Sequence, residues 1–512
     1  MHRSLLPALL GLVLGALALG PALGWGFVLV QDMVFVPDPA FSTFTFGLSG
    51  GAPRVVPSDA VVTALAQVLP AELVQKAILL GVFVLGCSGA ARLVPSESVV
   101  PSLVAGACYV WNPYVAERLL MGQWALLLGY AGLPWVVRAA CGRRLALALV
   151  PAAVGGFAAM SISALTVLPV AAQCRRWVRA GALVLLFSLP WLMLAVVRAR
   201  VLAGDPVGVD AFAARADGPF GVVGSLLSLG GVWNANAVPA GYDTWVGAVA
   251  RLSLALAGIA GFCLAAPPSD AAREGVALRR GLGVAAVAGF VIACLGVFQP
   301  GRDLLRWLVG VWGGFAVLRD AQQFVAPLAL LVSIGLGQLT ARVTARWAGL
   351  MVVAPLAALP TLTWGALDAV PYPRAWMEAR AIIQQDREPG DVLVLPFESY
   401  RRFSWNGGRA VLDPAQRFFA TPGREVVADD SVRVGSMVVA AEDPRAEQVE
   451  RVLERPSESL ATAGFRYVVV DAGTPGEWAR FAVRLGAARL LLDRPELRLY
   501  RLEGPVTPVA RR

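Results

Sequence analysis

The stretch LLPALLGLVLGALALGPALGWGFVLV, residues 5–30, followed by QDMVFVPDP, residues 31–39, decides how this chain is read. The first part runs for about 25 residues without a charge, and at ~1.5 Å per residue a helix of that length crosses a bilayer. It exceeds the ~7–15-residue core of a signal peptide. No clear small-x-small site stands before a soluble domain, so it reads as a retained span. The second part brings a carboxylate, Asp32, to the membrane surface beside an aromatic and proline-rich loop, and a second, Asp38, around Pro37. A span needs neither acid. A carboxylate near a low-dielectric boundary has its pKa raised and can act as general base toward a hydroxyl. The competing reading is a pair of solvated loop acids.

The rest of the composition agrees with a membrane protein. Of 512 residues, 57% are hydrophobic and 15% charged, with a mean hydropathy of +0.65; soluble domains carry roughly 25% charged residues. The net charge of +9 does not argue for nucleic acid, because the basic residues are spread between apolar segments rather than clustered. His2 is the sole histidine, which excludes histidine catalysis and His-ligated metal sites. The cysteines Cys87, Cys108, Cys141, Cys174, Cys263 and Cys294 all lie in or at the ends of apolar segments, without CxxC or zinc spacing, and indicate no disulfide framework.

Apolar segments recur at 5–29, 74–94, 98–115, 124–140, 145–161, 162–174, 180–199, 244–266, 281–298, 324–340 and 347–367, about eleven spans. With Arg3 inside, one alternating assignment puts Arg92, Arg138, Arg143, Arg144, Arg175, Arg176, Arg179, Arg273, Arg279, Arg280, Arg342 and Arg346 on the same side. The expected topology is therefore a multi-pass plasma-membrane protein with a cytoplasmic amino terminus and an extracytoplasmic tail. Residues 59–74, 220–229 and 304–318 read as short interfacial helices on the outer side. After Pro371-Tyr372-Pro373 the composition becomes that of a soluble domain, with strands at 391–396, 465–471, 487–492 and 496–502 alternating with helices at 376–385, 446–453 and 476–485. The expected fold is a polytopic α-helical membrane domain over 1–370 and a small extracytoplasmic α/β domain over 371–512.

Four outer-face constellations carry candidate chemistry. The first is Asp32 with Asp38. The second is WNPYVAERLLMGQW, residues 111–124, where Asn112, Glu117, Arg118, Gln123 and Trp124 crowd a turn between two spans. Glu117 and Arg118 can pair there, and aromatic platforms with amide donors suit a sugar; an aromatic-belt turn with one ion pair is the plainer account. The third is GVWNAN, residues 231–236, with Trp233 and Asn234, followed by GYDTW at 241–245. The fourth is LRDAQQF, residues 318–324, where Arg319 can clamp a lipid phosphate, with Asp320 and Gln323 beside it, or Arg319 and Asp320 can form a structural pair. In the tail, ESYRRFSWN, residues 398–406, follows a strand end, either a ligand loop or ordinary packing. No Walker A, strand-end GxGxxG, GxSxG, HExxH or EF-hand pattern occurs, so nucleotide binding has no support.

Over roughly residues 1–370, the segments QDMVFVPDP, WNPYVAERLLMGQW, GGVWNANAVPA and LRDAQQFVAPLAL resemble a group of actinobacterial membrane proteins. The architecture resembles the C-type (GT-C) superfamily of integral-membrane glycosyltransferases, and more distantly the mycobacterial arabinofuranosyltransferases and mannosyltransferases. The resemblance implies a polyprenyl-phosphate sugar donor, an envelope glycan or glycolipid acceptor, Asp32 as the first-loop catalytic acid, and Arg319 at the lipid phosphate. Asp32 and Asp38 depart from an adjacent Asp-Asp or a strict DxD. A divalent cation stays an open alternative, since a phosphate can also leave against arginine alone. Two other classes stay open: a transporter of lipid-linked sugars, disfavoured by few mid-span charges and no visible repeat, and a non-catalytic envelope scaffold.

Overall fold

The structure is a computed structural model that describes residues 2–49, 53, 55–94, 96–197, 204–265, 273–343, 345–455, 459–472, 475–482 and 484–506. The chain forms two compact units, and neither is continuous in sequence. The first comprises Met1–Leu23, Lys76–Met193 and Gly204–Leu367; the second comprises Gly24–Gln75, Leu194–Ala203 and Asp368–Arg512. The segment Gly24–Gln75 thus belongs with the tail, where the sequence alone predicts one division at 370/371.

The first unit is helical. Among the described residues, seven helical elements are long and apolar enough, by length and composition, to cross a membrane: Leu5–Leu23, Ala71–Ala91, Leu145–Gln173 (counted across a break at Gly156), Trp177–Val197, Trp245–Leu264, Glu274–Leu295 and Ala321–Thr340. Three other expected spans form helices of 11, 16 and 14 residues, Val100–Val110, Trp124–Ala139 and Ala345–Ala358, below the ~20 residues a perpendicular crossing requires. The segments expected at 145–161 and 162–174 form one helical element broken at Gly156, whose φ of 77° and ψ of −150° suit only glycine. A straight helix of 29 residues would be about 43 Å long. The Cα atoms of Cys141 and Cys174, which flank it, are 5.6 Å apart and joined by a disulfide. The chain therefore reverses at Gly156 and returns, and the disulfide was not foreseen from cysteine spacing. Tight helix crossings use small residues: a Cβ on Gly335 would stand 1.8 Å from the carbonyl oxygen of Gly258.

The second unit is α/β. Its five-stranded sheet runs Arg489–Asp493, Arg498–Arg501, Phe465–Val470, Asp391–Leu395, Val426–Val427 in spatial order. The last three are mutually parallel and the first two antiparallel. Phe465–Val470 is buried throughout, as expected for a run of apolar residues covered on both faces. Helices Arg374–Gln385, Pro444–Glu454 and Pro475–Ala482 lie close to their expected positions. The helix expected over 59–74 is instead Ser58–Ala66, with a new helix starting at Ala71 after Pro70, whose ring cannot continue the earlier turn. In the 200–243 and 299–323 stretches, Gly221–Leu227 and Gln299–Val311 are helical and Gly313–Leu318 is a 3-10 turn.

Candidate functional site

In the second unit, Asp32 occupies the tip of a tight turn. Met33 N donates to Val30 O at 2.8 Å, and Gln31 adopts a left-handed φ of 45°. Both flanks are anchored, with Leu29, Val30, Met33, Val34, Phe35 and Val36 all buried, while Asp32 itself is half-buried. The turn is laid against a hairpin of the tail, Tyr400–Arg402 with Ala410–Leu412. Gln31 N donates to Ala410 O at 2.7 Å and Leu412 N to Gln31 O at 2.8 Å, a parallel bridge. The buried Asn406 donates to Leu29 O at 2.9 Å. The Tyr400 hydroxyl donates to Asp32 Oδ1. The hairpin is fixed to the sheet by Arg401, buried 3.8 Å from Asp413 and 3.7 Å from Asp471. Burial pushes the Asp471 carboxyl up to about 6 although Arg401 draws it down, and Trp376 Nε1 donates to it at 2.8 Å.

Asp38 has a different environment. It is left-handed, with φ 48°, and its backbone carbonyl, with that of Pro37, accepts hydrogen bonds from Arg380. The buried Arg380 thereby secures the loop through main-chain atoms.

In the first unit, the crowded turn forms the helix Pro113–Leu120, buried along its whole length. Asn112 is its N-cap: Oδ1 accepts from Val115 N at 3.1 Å, and Nδ2 donates to Cys108 O, Tyr109 O and Tyr130 OH. Such use leaves its amide little capacity for a ligand. Arg118 does not pair with Glu117. It binds Asp320 Oδ2 at 2.7 Å and Gln123 Oε1 at 2.7 Å, so that the buried Arg118 joins two half-buried partners, Asp320 lying 202 residues away in sequence. Asp320 is thus partnered by Arg118 rather than by its neighbour Arg319. Arg319 instead lies over the Phe212 ring at 5.7 Å, against Gly208, with Nε donating to Ala316 O.

Glu117 turns toward Asp217, a residue that spacing did not single out. Each carboxyl also accepts a backbone N–H, Glu117 from Val232 and Asp217 from Gly231. A Cβ on Gly230 would meet Asp217 Oδ2 at 2.4 Å, Tyr242 OH at 2.7 Å and Glu117 Oε1 at 2.8 Å, so the three groups converge where only glycine fits. Burial first, and the facing Asp217 charge second, hold the Glu117 carboxyl well above its usual range. The two carboxyls thus face one another across Gly230, and burial beside Asp217 favours the protonated form of Glu117.

Trp233 packs edge-on to Phe212 at 4.9 Å, and Asn234 caps the following 3-10 turn through Asn236 N. Gln323 donates to Val317 O and its carbonyl accepts from Tyr114 OH, while Trp124 is buried at the start of its helix. Arg251 went unnoticed because it lies inside an apolar helix. Its buried guanidinium stacks 3.5 Å over the Tyr242 ring and faces an apolar recess lined by Trp111, Ser228, Leu254, Val332 and Pro355. No group of three or more Asp, Glu, Cys or His side chains that could hold a metal converges among the described residues.

No protein-family model matches the chain, and no curated protein matches it in sequence. Among solved structures it is similar to arabinofuranosyltransferase AftD from mycobacteria, with a TM-score of 0.60 at 16% identity over 99% of this chain and 40% of that one. It is also similar to two classes of a point mutant of that protein. One has a TM-score of 0.58 at 16% identity over 98% of this chain and 41% of that one; the other has 0.51 at 15% over 96% and 41%. The chain spans about two fifths of the length of the structures it resembles. The expected likeness to mycobacterial arabinofuranosyltransferases is thus present in the fold.

Proposed function

From this shared fold we propose that the chain is a membrane glycosyltransferase moving a sugar from a polyprenyl-phosphate donor to an envelope glycan or glycolipid at the outer face of the plasma membrane. One observation carries the assignment of the base: the half-buried Asp32 is presented at the tip of a turn whose flanks are buried, so its backbone is anchored on both sides. Precise placement of a reacting group lowers the entropic part of the barrier. Asp32 takes the proton of the acceptor hydroxyl and that oxygen bonds to the sugar C1. The C1–O bond to phosphate breaks, and its electron pair departs with polyprenyl phosphate. With one carboxylate acting, the configuration at C1 inverts. The arginine bias of the loops supports a cytoplasmic amino terminus and an extracytoplasmic tail.

Phosphate neutralisation is assigned to Arg319, an exchange of loop contacts for a charge-assisted contact. Arg251 is the second reading, favoured by its place beside an apolar recess that suits a lipid chain. The test uses a short-chain polyprenyl-phosphoryl arabinofuranose as donor, chosen because the similar structures are named arabinofuranosyltransferases, with an arabinofuranoside oligosaccharide as acceptor. Asp32→Asn is expected to fold normally and to lose about 10²–10⁴-fold in transfer rate. Turnover near that of the parent at equal protein level would remove Asp32 from the reaction.

A further inference from the structure

We infer that Tyr400 is the positioning residue of Asp32, and that the tail hairpin exists on this unit to carry it. The inference rests on the reading of Asp32 as the base. Three strands define the geometry. Arg401 pairs with Val411 across the hairpin, and the other edge of Val411 bridges to Gln31, so Gln31, Val411 and Arg401 stand in one row, with Asp32 and Tyr400 each one residue away from it and Leu412 paired with Tyr400. Two strand spacings make about 9.6 Å. A phenol reaches across most of that span where a serine or threonine hydroxyl would fall short, and its hydroxyl donates to Asp32 Oδ1.

The contact has chemical consequences that packing alone does not. A base on a turn tip can rotate about its side-chain bonds, and each unproductive rotamer lowers the fraction of encounters that react. The phenol fixes Oδ1, and with it the direction in which the carboxylate meets the acceptor hydroxyl. The hydrogen bond joins residues 368 positions apart, so its formation also registers the first loop on the tail. Around the hairpin, Arg401 is held by Asp413 and Asp471, and Asn406 by Leu29. These anchors keep Tyr400 in place independently of its own hydroxyl, so the hydroxyl can be removed without dissolving the hairpin.

The experiment compares the full-length parent with Tyr400→Phe, Asp32→Asn and the double variant, using the arabinofuranose donor and oligosaccharide acceptor above. Tyr400→Phe is expected to lower kcat about tenfold or more, the usual effect of losing a hydrogen bond to an ionised group, with donor KM nearly unchanged and Tm lowered by about 1–2 °C. The double variant is expected to transfer no more slowly than Asp32→Asn alone, and the Tm changes of the single variants to be non-additive. Parent-like kcat in Tyr400→Phe while Asp32→Asn is inactive overturns the positioning role and leaves the base intact. An active Asp32→Asn overturns the base reading itself. Additive Tm changes mean the two side chains do not touch, and overturn the inference whichever donor the enzyme accepts.

Discussion

The buried acid pair of the first unit allows a stability measurement that needs no substrate. Glu117 is 2% exposed and its carboxyl is held well above the usual range by burial and by Asp217. The native state therefore keeps a proton that the unfolded chain releases near pH 4.5. This stabilisation is complete below that pH and is lost as pH rises toward the native pKa. Over the range in which the native state holds this proton and the unfolded chain does not, the slope is about 1.4 kcal/mol per pH unit. Glu117→Gln supplies a permanent donor to Asp217 and still accepts from Val232 N, so it should remove that slope and match the parent near pH 4.5. Asp471, pushed up to about 6, adds a slope of the same sign to both proteins, so their difference isolates Glu117. The assay is reversible unfolding in mixed micelles at pH 5.5, 6.5 and 7.5. Parallel curves for parent and variant would mean that Glu117 is ionised in the native state, and would refute the retained proton.

The Arg118–Asp320 pair should respond to its environment as buried pairs do. Arg118→Ala is expected to cost about 3–5 kcal/mol by stranding Asp320, and replacing both residues with apolar ones of similar volume to recover much of that, read by the same unfolding assay. For the donor phosphate, Arg319→Lys keeps the charge but loses planar, bidentate geometry, so donor KM should rise severalfold with little change in Tm. An unchanged KM there, with a rise in Arg251→Lys, would transfer the role to Arg251.

Much of the architecture was legible in the residues alone. Charge-free runs of membrane length and the alternation of DVLVLP and FRYVVVD with amphipathic helices each report a local preference, and local preferences survive folding. Asp32 stood out for the same reason: an acid beside a bilayer-length run is visible without knowing what it touches. The remainder depended on separations that no local pattern encodes. Nothing in QDMVF indicates that Gln31 will bridge to Val411 or that Tyr400 will reach Asp32. Likewise, Arg118 has an acid next to it in sequence but binds Asp320, because on a helix adjacent side chains diverge by about 100°. Glycine 156 and glycine 230 show the limit from the other side, since a glycine announces permission for a turn or a close approach but not its partner. Local chemistry therefore determined which segments enter the membrane and which acid to suspect. Only the tertiary structure decided which carboxyls face one another, which charges pair, and which hydroxyl meets Asp32, because those choices are made by burial and by contacts closed over hundreds of residues.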